Sequence, residues 1–164
     1  MTKLNKPIKK CVVFLDPREF RSTWLGNKAV YRTRMAMAEG GELIVLAPNV
    51  KKFGEDDEND RLIKKYGYVG RKRVLELVKE EAELKNNLSV AAHLIHGSSD
   101  DKFKVTYCTK HLSKEDIEGV GFSFMPYDEA TKKYNPETMK DGYNTVDGEE
   151  IYYISNPALG LWTV

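Results

Sequence analysis

Two short apolar runs, Lys10-Cys11-Val12-Val13-Phe14-Leu15 and Glu42-Leu43-Ile44-Val45-Leu46-Ala47, constrain the fold more than any other feature of this chain. Each is rich in β-branched or aromatic residues and is closed by a turn, Asp16-Pro17 after the first and Pro48-Asn49 after the second. Their apolar residues are successive instead of alternate, the pattern of a strand covered on both faces. Between the runs, from Asn27 to Glu39, the residues Ala29, Val30, Thr33, Ala36 and Met37 fall at helical spacing, and Gly40-Gly41 supplies a C-terminal stop. Strand, helix and strand in this order predict two parallel neighbours joined by a right-handed crossover. Ligands of open α/β sheets gather at the carboxyl ends of the strands, which directs attention to the segments after Leu15 and after Ala47.

The same alternation continues. Asp57 to Tyr66 and Arg71 to Leu84 read as charged amphipathic helices punctuated by Gly67 and Gly70, and a third helix begins near the capping residue Asn87, carrying Leu88, Val90, Ala91, Leu94 and Ile95 to a stop at Gly97. Lys102 to Cys108 alternates as a strand, and Ser113-Lys114-Glu115-Asp116 starts a short helix running to about Val120. Phe122 to Met125 reads as a strand, Asp128 to Tyr134 as a helical turn or two, and Ile151 to Ile154 as a last strand before Asn156-Pro157. The expected architecture is one α/β domain over residues 1–164, a Rossmann-like three-layer sandwich with a mostly parallel sheet.

Charge and composition narrow the function classes. With 164 residues and a formal net charge of +1, the chain lacks the basic field that draws proteins to nucleic acid or anionic lipid. Its apolar runs fall far short of the roughly twenty residues that cross a bilayer, so no membrane partner is expected. The basic opening, MTKLNKPIKK, leads into a strand and not into a signal-peptide core, which points to the cytoplasm, where Cys11 and Cys108 are buried free thiols.

Familiar catalytic signatures are missing: there is no Gly-x-Ser-x-Gly elbow, Walker loop, His-Glu-x-x-His or Gly-x-Gly-x-x-Gly. The most informative stretch is DPREFRSTWLGNKAVYR, with Arg18, Arg21, Trp24, Asn27 and Lys28 where an α/β sheet exposes its site. A helix start beside Arg and Lys offers backbone donors and fixed positive charge, which suit a carboxylate or phosphate. The competing reading has Arg18 and Arg21 in solvated ion pairs with Glu19 or the acidic helices, and Trp24 in the core. Trp24 and Lys28 stand four apart and so share a helix face. His93, His96, Cys108 and His111 together supply four soft ligands, but their spacing fits no common zinc motif and Cys108 should point inward. Gly97-Ser98-Ser99 is followed by Asp100-Asp101, which reads as a turn and not as a phosphate cradle.

The run Trp24-Leu25-Gly26-Asn27-Lys28-Ala29, a following helix, the segment from Glu39 to Pro48 and then Gly54 together resemble the C-terminal domain of the nickel-dependent lactate racemase family. That family takes in racemases and epimerases of 2-hydroxy acids and sugar-acid epimerase-like relatives, to which DPREFRSTWLGNKA and NPALGLW are most similar. The resemblance covers nearly all of this chain but only half of the family's enzyme.

The resemblance implies that a nickel-pincer nucleotide is held by an N-terminal cofactor-binding domain, whose histidines are the acid/base partners in hydride abstraction and return, and that this chain itself carries no cofactor. It implies Lys28 as the residue of the closing domain that holds the substrate oxygen or carboxylate. Trp24 stands where the lactate enzymes carry tyrosine, Leu25 where they carry glutamine, and Asn87 where they carry tryptophan. These departures point away from lactate and toward a more polar hydroxy acid, whose carboxylate Arg18 and Arg21 would suit. The expected function is a substrate-side lid domain of a racemase or epimerase, inactive without its partner domain or subunit. The alternative is a stand-alone α/β module that binds a small anion or a protein and catalyses nothing.

Overall fold

The computed structural model describes residues 1–164. In chain order the elements are β1 (Thr2–Lys3), β2 (Ile8–Phe14), α1 (Thr23–Gly26), α2 (Lys28–Tyr31), β3 (Met37–Ala47), α3 (Asp57–Tyr66), α4 (Arg71–Glu80), α5 (Ala82–Lys85), α6 (Leu88–His96), β4 (Lys104–Thr109), α7 (Lys114–Gly119), β5 (Ser123–Pro126), α8 (Tyr127–Lys133), β6 (Gly142–Val146), β7 (Glu149–Ile154), a 3-10 turn (Pro157–Leu159) and β8 (Trp162–Thr163). The main sheet has the order β5-β4-β3-β2-β7-β6; every pair in it is parallel except β6 with β7. This is the three-layer α/β sandwich that the strand and helix alternation predicts.

The two founding strands pair as expected, Cys11 against Leu43 through Phe14 against Leu46. The segment between them differs from its periodicity. No continuous helix runs from Asn27 to Glu39: helical residues are limited to the two short turns α1 and α2, a few turn-type bonds such as Arg34 N–H to the Val30 carbonyl follow them, and β3 starts at Met37, opposite Ile8. Thr33 donates its hydroxyl to the Ala29 carbonyl at 2.6 Å, satisfying a helical carbonyl where the helix gives way to a turn. Gly40-Gly41 is therefore not a helix stop. The register jumps from Ile8–Met37 to Lys10–Glu42, and the extra residues bulge out with Gly40 at φ +72° and its N–H on the Lys102 carbonyl. A Cβ on Gly41 would lie 3.0 Å from the Lys9 and Ala38 carbonyl oxygens, so the bulge needs glycine. Likewise Arg71 to Leu84 is two helices, broken where Glu81 turns extended.

The sheet is covered unequally. One face packs under α2, α3, α4, α6 and α7 through Val13, Leu15, Leu43, Val45, Val74, Val90, Leu94 and Tyr107. The opposite face presents Val12, Ile44, Leu46, Cys108, Ile151 and Tyr153, and α8 meets it with Ala130 and Tyr134. Cys11 and Cys108 are buried free thiols, and burial pushes the Cys108 thiol up to about 12, so neither is reactive. The β6–β7 hairpin turns on Asp147 and Gly148, both at positive φ, and β1 pairs with β8 in a small parallel ribbon. No helix is long and apolar enough to cross a membrane.

Candidate ligand-binding site

At the carboxyl end of β2 the chain turns on Asp16, whose carbonyl accepts from Glu19 and Phe20 N–H at 3.0 Å. The Arg18 guanidinium binds the Asp16 carboxylate at 2.7 Å and holds that carboxyl down to about 2. Arg18 thus has an intramolecular partner that the sequence reading did not name, while Arg21 lies exposed and takes part in no ion pair. From Ser22 onward the segment is stitched to the loop after β3: Ser22 bridges Lys52, Thr23 N–H reaches the Lys52 carbonyl at 3.1 Å, and Trp24 N–H reaches Phe53 at 2.8 Å. Ser22 caps α1, accepting from Leu25 N–H at 3.3 Å and donating to Glu55 at 2.8 Å.

Gly26 and Asn27 fix how α1 and α2 cross the sheet. A Cβ on Gly26 would come within 2.8 Å of Leu15 and 3.0 Å of the Tyr107 hydroxyl, so any larger residue would press on two buried side chains. Asn27 is fully buried; its Oδ1 accepts from the Tyr107 hydroxyl at 2.6 Å and its Nδ2 donates to the Gly97 carbonyl at 3.3 Å. A Tyr107→Phe substitution would leave that carbonyl oxygen buried without its donor. Its expected cost is about 1–3 kcal/mol, read as a lower urea midpoint at unchanged m-value.

Lys28 opens α2 directly after this anchor. It is half-buried, and the chain's ion pairs do not engage it. Trp24, one turn earlier, is half-buried and stacks on the His93 ring of α6, with centroids 4.2 Å apart and planes 29° apart. His93 Nε2 lies 2.7 Å from the Tyr68 hydroxyl, which lies 2.8 Å from the Thr23 hydroxyl. Trp24 thus packs on α6 through His93, and Lys28 opens the next of the two short turns that replace the expected long helix. Asn87 sits at the start of α6, where its Oδ1 caps Val90 N–H at 3.2 Å and its Nδ2 donates to Asn59 at 3.0 Å. Its local role is to join the first turns of α3 and α6. Arg18 and Arg21 lie on the loop before α1, and the larger surface concavities are lined by other residues.

The four soft ligands of the zinc reading do not converge. Cys108 belongs to the face under α8, whereas His93 packs on the opposite side against Trp24 and Tyr68. No group of three or more His, Cys, Asp or Glu residues is placed to hold a metal ion. Ser98 makes a turn, accepting from Asp100 N–H at 3.1 Å, and Asp100 accepts from Arg71 N–H at 2.7 Å.

His93, Tyr68, Thr23, Asn27 and Tyr107 are polar residues at this site that spacing alone does not assemble, since their contacts span from 25 to 80 positions. Burial, with His96 as the smaller cause, pushes the His93 imidazole down from 6.5 to about 4. The folded ring is neutral where the unfolded one takes up a proton, so its contribution to stability is whole above pH 6.5 and drains as pH falls toward 4. Melting temperature should accordingly decline between those pH values in the wild type and decline less in His93→Gln. Parallel curves would show that the ring is already charged in the fold.

No described protein family matches the sequence, and no curated protein is significantly similar to it. Solved structures do share its fold. The class is that of an α/β domain found within larger chains: a protein from Thermotoga maritima superposes with a TM-score of 0.71 at 20% identity, over 98% of this chain and 38% of its own. A particular relative in shape is the lactate racemase apoprotein from Thermoanaerobacterium thermosaccharolyticum, with a TM-score of 0.64 at 13% identity, over 97% of this chain and 36% of its own. The chain thus spans less than two-fifths of the length of either structure.

Proposed function

We propose that this chain is the substrate-side lid domain, corresponding to the C-terminal domain, of a nickel-pincer-dependent 2-hydroxy-acid or sugar-acid racemase or epimerase, working with a cofactor-binding domain or subunit. The observation that carries the reading is Lys28, a half-buried lysine with no carboxylate partner, which opens α2 directly after the buried Asn27 anchor and one turn after Trp24. A cation held this way keeps its full attraction for an incoming anion, since no internal ion pair has to be broken first. The likeness of fold to a lactate racemase over part of that enzyme's length supports the same reading.

On this reading the cofactor belongs to the partner and the chain alone should be inert; no group of three or more His, Cys, Asp or Glu residues here is placed to hold a metal ion. Its own tasks are to bind the carboxylate or the 2-oxygen through Lys28, to present the Trp24 face to the substrate carbon chain and, on closure, to exclude water. Trp24 in place of a smaller aromatic and Leu25 beside it favour a substrate other than lactate.

The test is to tag the chain at its native locus, purify what it binds, and measure nickel and the interconversion of 2-hydroxy-acid stereoisomers. A nickel-bearing complex that racemises or epimerises such acids, with none of that activity in the chain alone, is expected. A complex without nickel and without isomerase activity would overturn the assignment.

A further inference from the structure

The parallel strands β2, β3 and β7 all send the chain toward the same face of the sheet, where Ala29, Leu62 and Trp162 join one core. β4 does the same through Leu112 and Ile117, but its neighbour β5 sends the chain to the opposite face, where Ala130 and Tyr134 lie. Loops that leave adjacent parallel strands for opposite faces part and open a crevice at the carboxyl ends, the place where open α/β sheets take their ligands. A cavity of about 530 Å³ lies there, lined by residues 109–113 at the end of β4 and by residues at the end of β5 and the start of α8. That volume suits a small molecule.

The lining divides by chemistry. Leu112 is buried and Phe124 and Tyr127 are half-buried, Phe124 packed on one core and Tyr127 on the other, so together they make an apolar wall between the two faces. Lys110 and Asp128 are exposed at the same cavity: the Lys110 ammonium stands 5.1 Å from the centroid of the Tyr127 ring and 3.6 Å from the Asp128 carboxylate. That separation is too long for a hydrogen bond, and no other ion pair engages either group. An exposed pair of this kind holds its members weakly, so both remain free to take new partners. The first turn of α7 is already closed by the reciprocal Ser113–Asp116 cap, which leaves recognition to these side chains.

A simple carboxylate drawn to Lys110 would meet Asp128 beside it, and a simple amine drawn to Asp128 would meet Lys110. A zwitterion with its two charges close together avoids both penalties, since each charge finds its opposite. We propose that the crevice between β4 and β5 binds a free α-amino acid with an apolar side chain. Lys110 takes the carboxylate, Asp128 takes the ammonium, and Leu112, Phe124 and Tyr127 receive the side chain. The site stands two strands from β2 and uses neither Lys28 nor Trp24, so it does not depend on the lid-domain proposal.

The test titrates the 15N-labelled 164-residue chain with phenylalanine, 3-phenylpropanoate and 2-phenylethylamine, which share a ring and carry both charges, the negative one or the positive one. The amides of Lys110, Leu112, Tyr127 and Asp128 are followed by NMR. Phenylalanine should move all four and bind at least about tenfold more tightly than either partner probe, the yield of one charge-assisted hydrogen bond. Lys110→Gln should abolish its advantage over the amine, and Asp128→Asn its advantage over the acid. Both changes are at exposed side chains, so the other amides should keep their positions. The inference is overturned if phenylalanine leaves the four amides unmoved near its solubility limit, or if the acid or the amine binds as tightly. Glycine binding as tightly as phenylalanine would overturn the part given to the apolar wall. Shifts confined to Lys28 and Trp24 would overturn this site and leave the lid reading standing.

Discussion

On the lid-domain proposal, Lys28→Ala is expected to lower the turnover of the assembled enzyme by about 10²–10³-fold, the loss associated with removing one preorganised charge from a reacting oxygen. Nickel content should not change, because nothing in this chain is placed to hold the metal. Stability should move by no more than about 0.5 kcal/mol, since the ammonium has no internal partner to strand. The separation of these three readouts is the point of the experiment: a structural lysine would cost stability, and a cofactor-holding lysine would cost nickel. Lys28→Arg keeps the charge but spreads it over a planar fork, and should recover only part of the rate. Wild-type turnover in Lys28→Ala would remove Lys28 from the site and leave an α/β domain without an assigned chemistry.

The largest expected loss of stability comes from Gly54→Ala. The new methyl would fall on the Asp60 amide nitrogen and within 2.6 Å of the Asn59 carbonyl carbon, both backbone atoms in the first turn of α3. Backbone cannot rotate aside as a side chain can, so α3 must shift. Any shift strains the Asp60 carboxylate that accepts from Phe53 N–H at 2.7 Å and Gly54 N–H at 3.1 Å. We expect about 3 kcal/mol of destabilisation, at the upper end of what overpacking costs, seen as a reduced urea midpoint. Because Phe53 also receives Trp24 N–H, the disturbance should reach the Trp24–His93 stack and alter indole fluorescence. A loss below about 0.5 kcal/mol would mean that the loop re-forms around the methyl.

The parts of this fold that could be read from the sequence are those written in local chemistry. The helix Asp57–Tyr66 has the bounds its pattern predicts because Asp56 caps it and acidic residues fill its first turn, all within a few positions. Asn87 and Gly97 frame α6, and Ser113 with Asp116 forms a reciprocal cap for α7, for the same reason. Gly40-Gly41 was misread as a helix end because a bulge is defined by the partner strand, here Ile8 and Lys10, which the local pattern does not contain. The Asp147-Gly148 hairpin has a local signature: two residues suited to positive φ lie between the paired Gly142–Val146 and Glu149–Ile154 segments.

The candidate site divides along the same line. Trp24 and Lys28 stand four residues apart in sequence, but the long helix predicted for them does not form, and they lie on two successive short turns. Their surroundings were not legible, because Tyr68, His93 and Tyr107 reach Thr23, Trp24 and Asn27 only after two crossovers have stacked the layers. Arg18 shows the converse: a cation that looked available in the sequence is claimed by Asp16, two residues away.

The unequal cover of the sheet has a mechanical consequence. On the side of Val12, Ile44 and Cys108 the shielding depends chiefly on α8 and the residues just after it, with Ala130, Tyr134 and Met139 packed there. Detaching that single short segment would wet one flank while the thicker assembly on the other flank stayed intact. Breathing of the native state is therefore directed away from Trp24 and Lys28, and their side of the sheet can stay rigid while the far side opens and recloses.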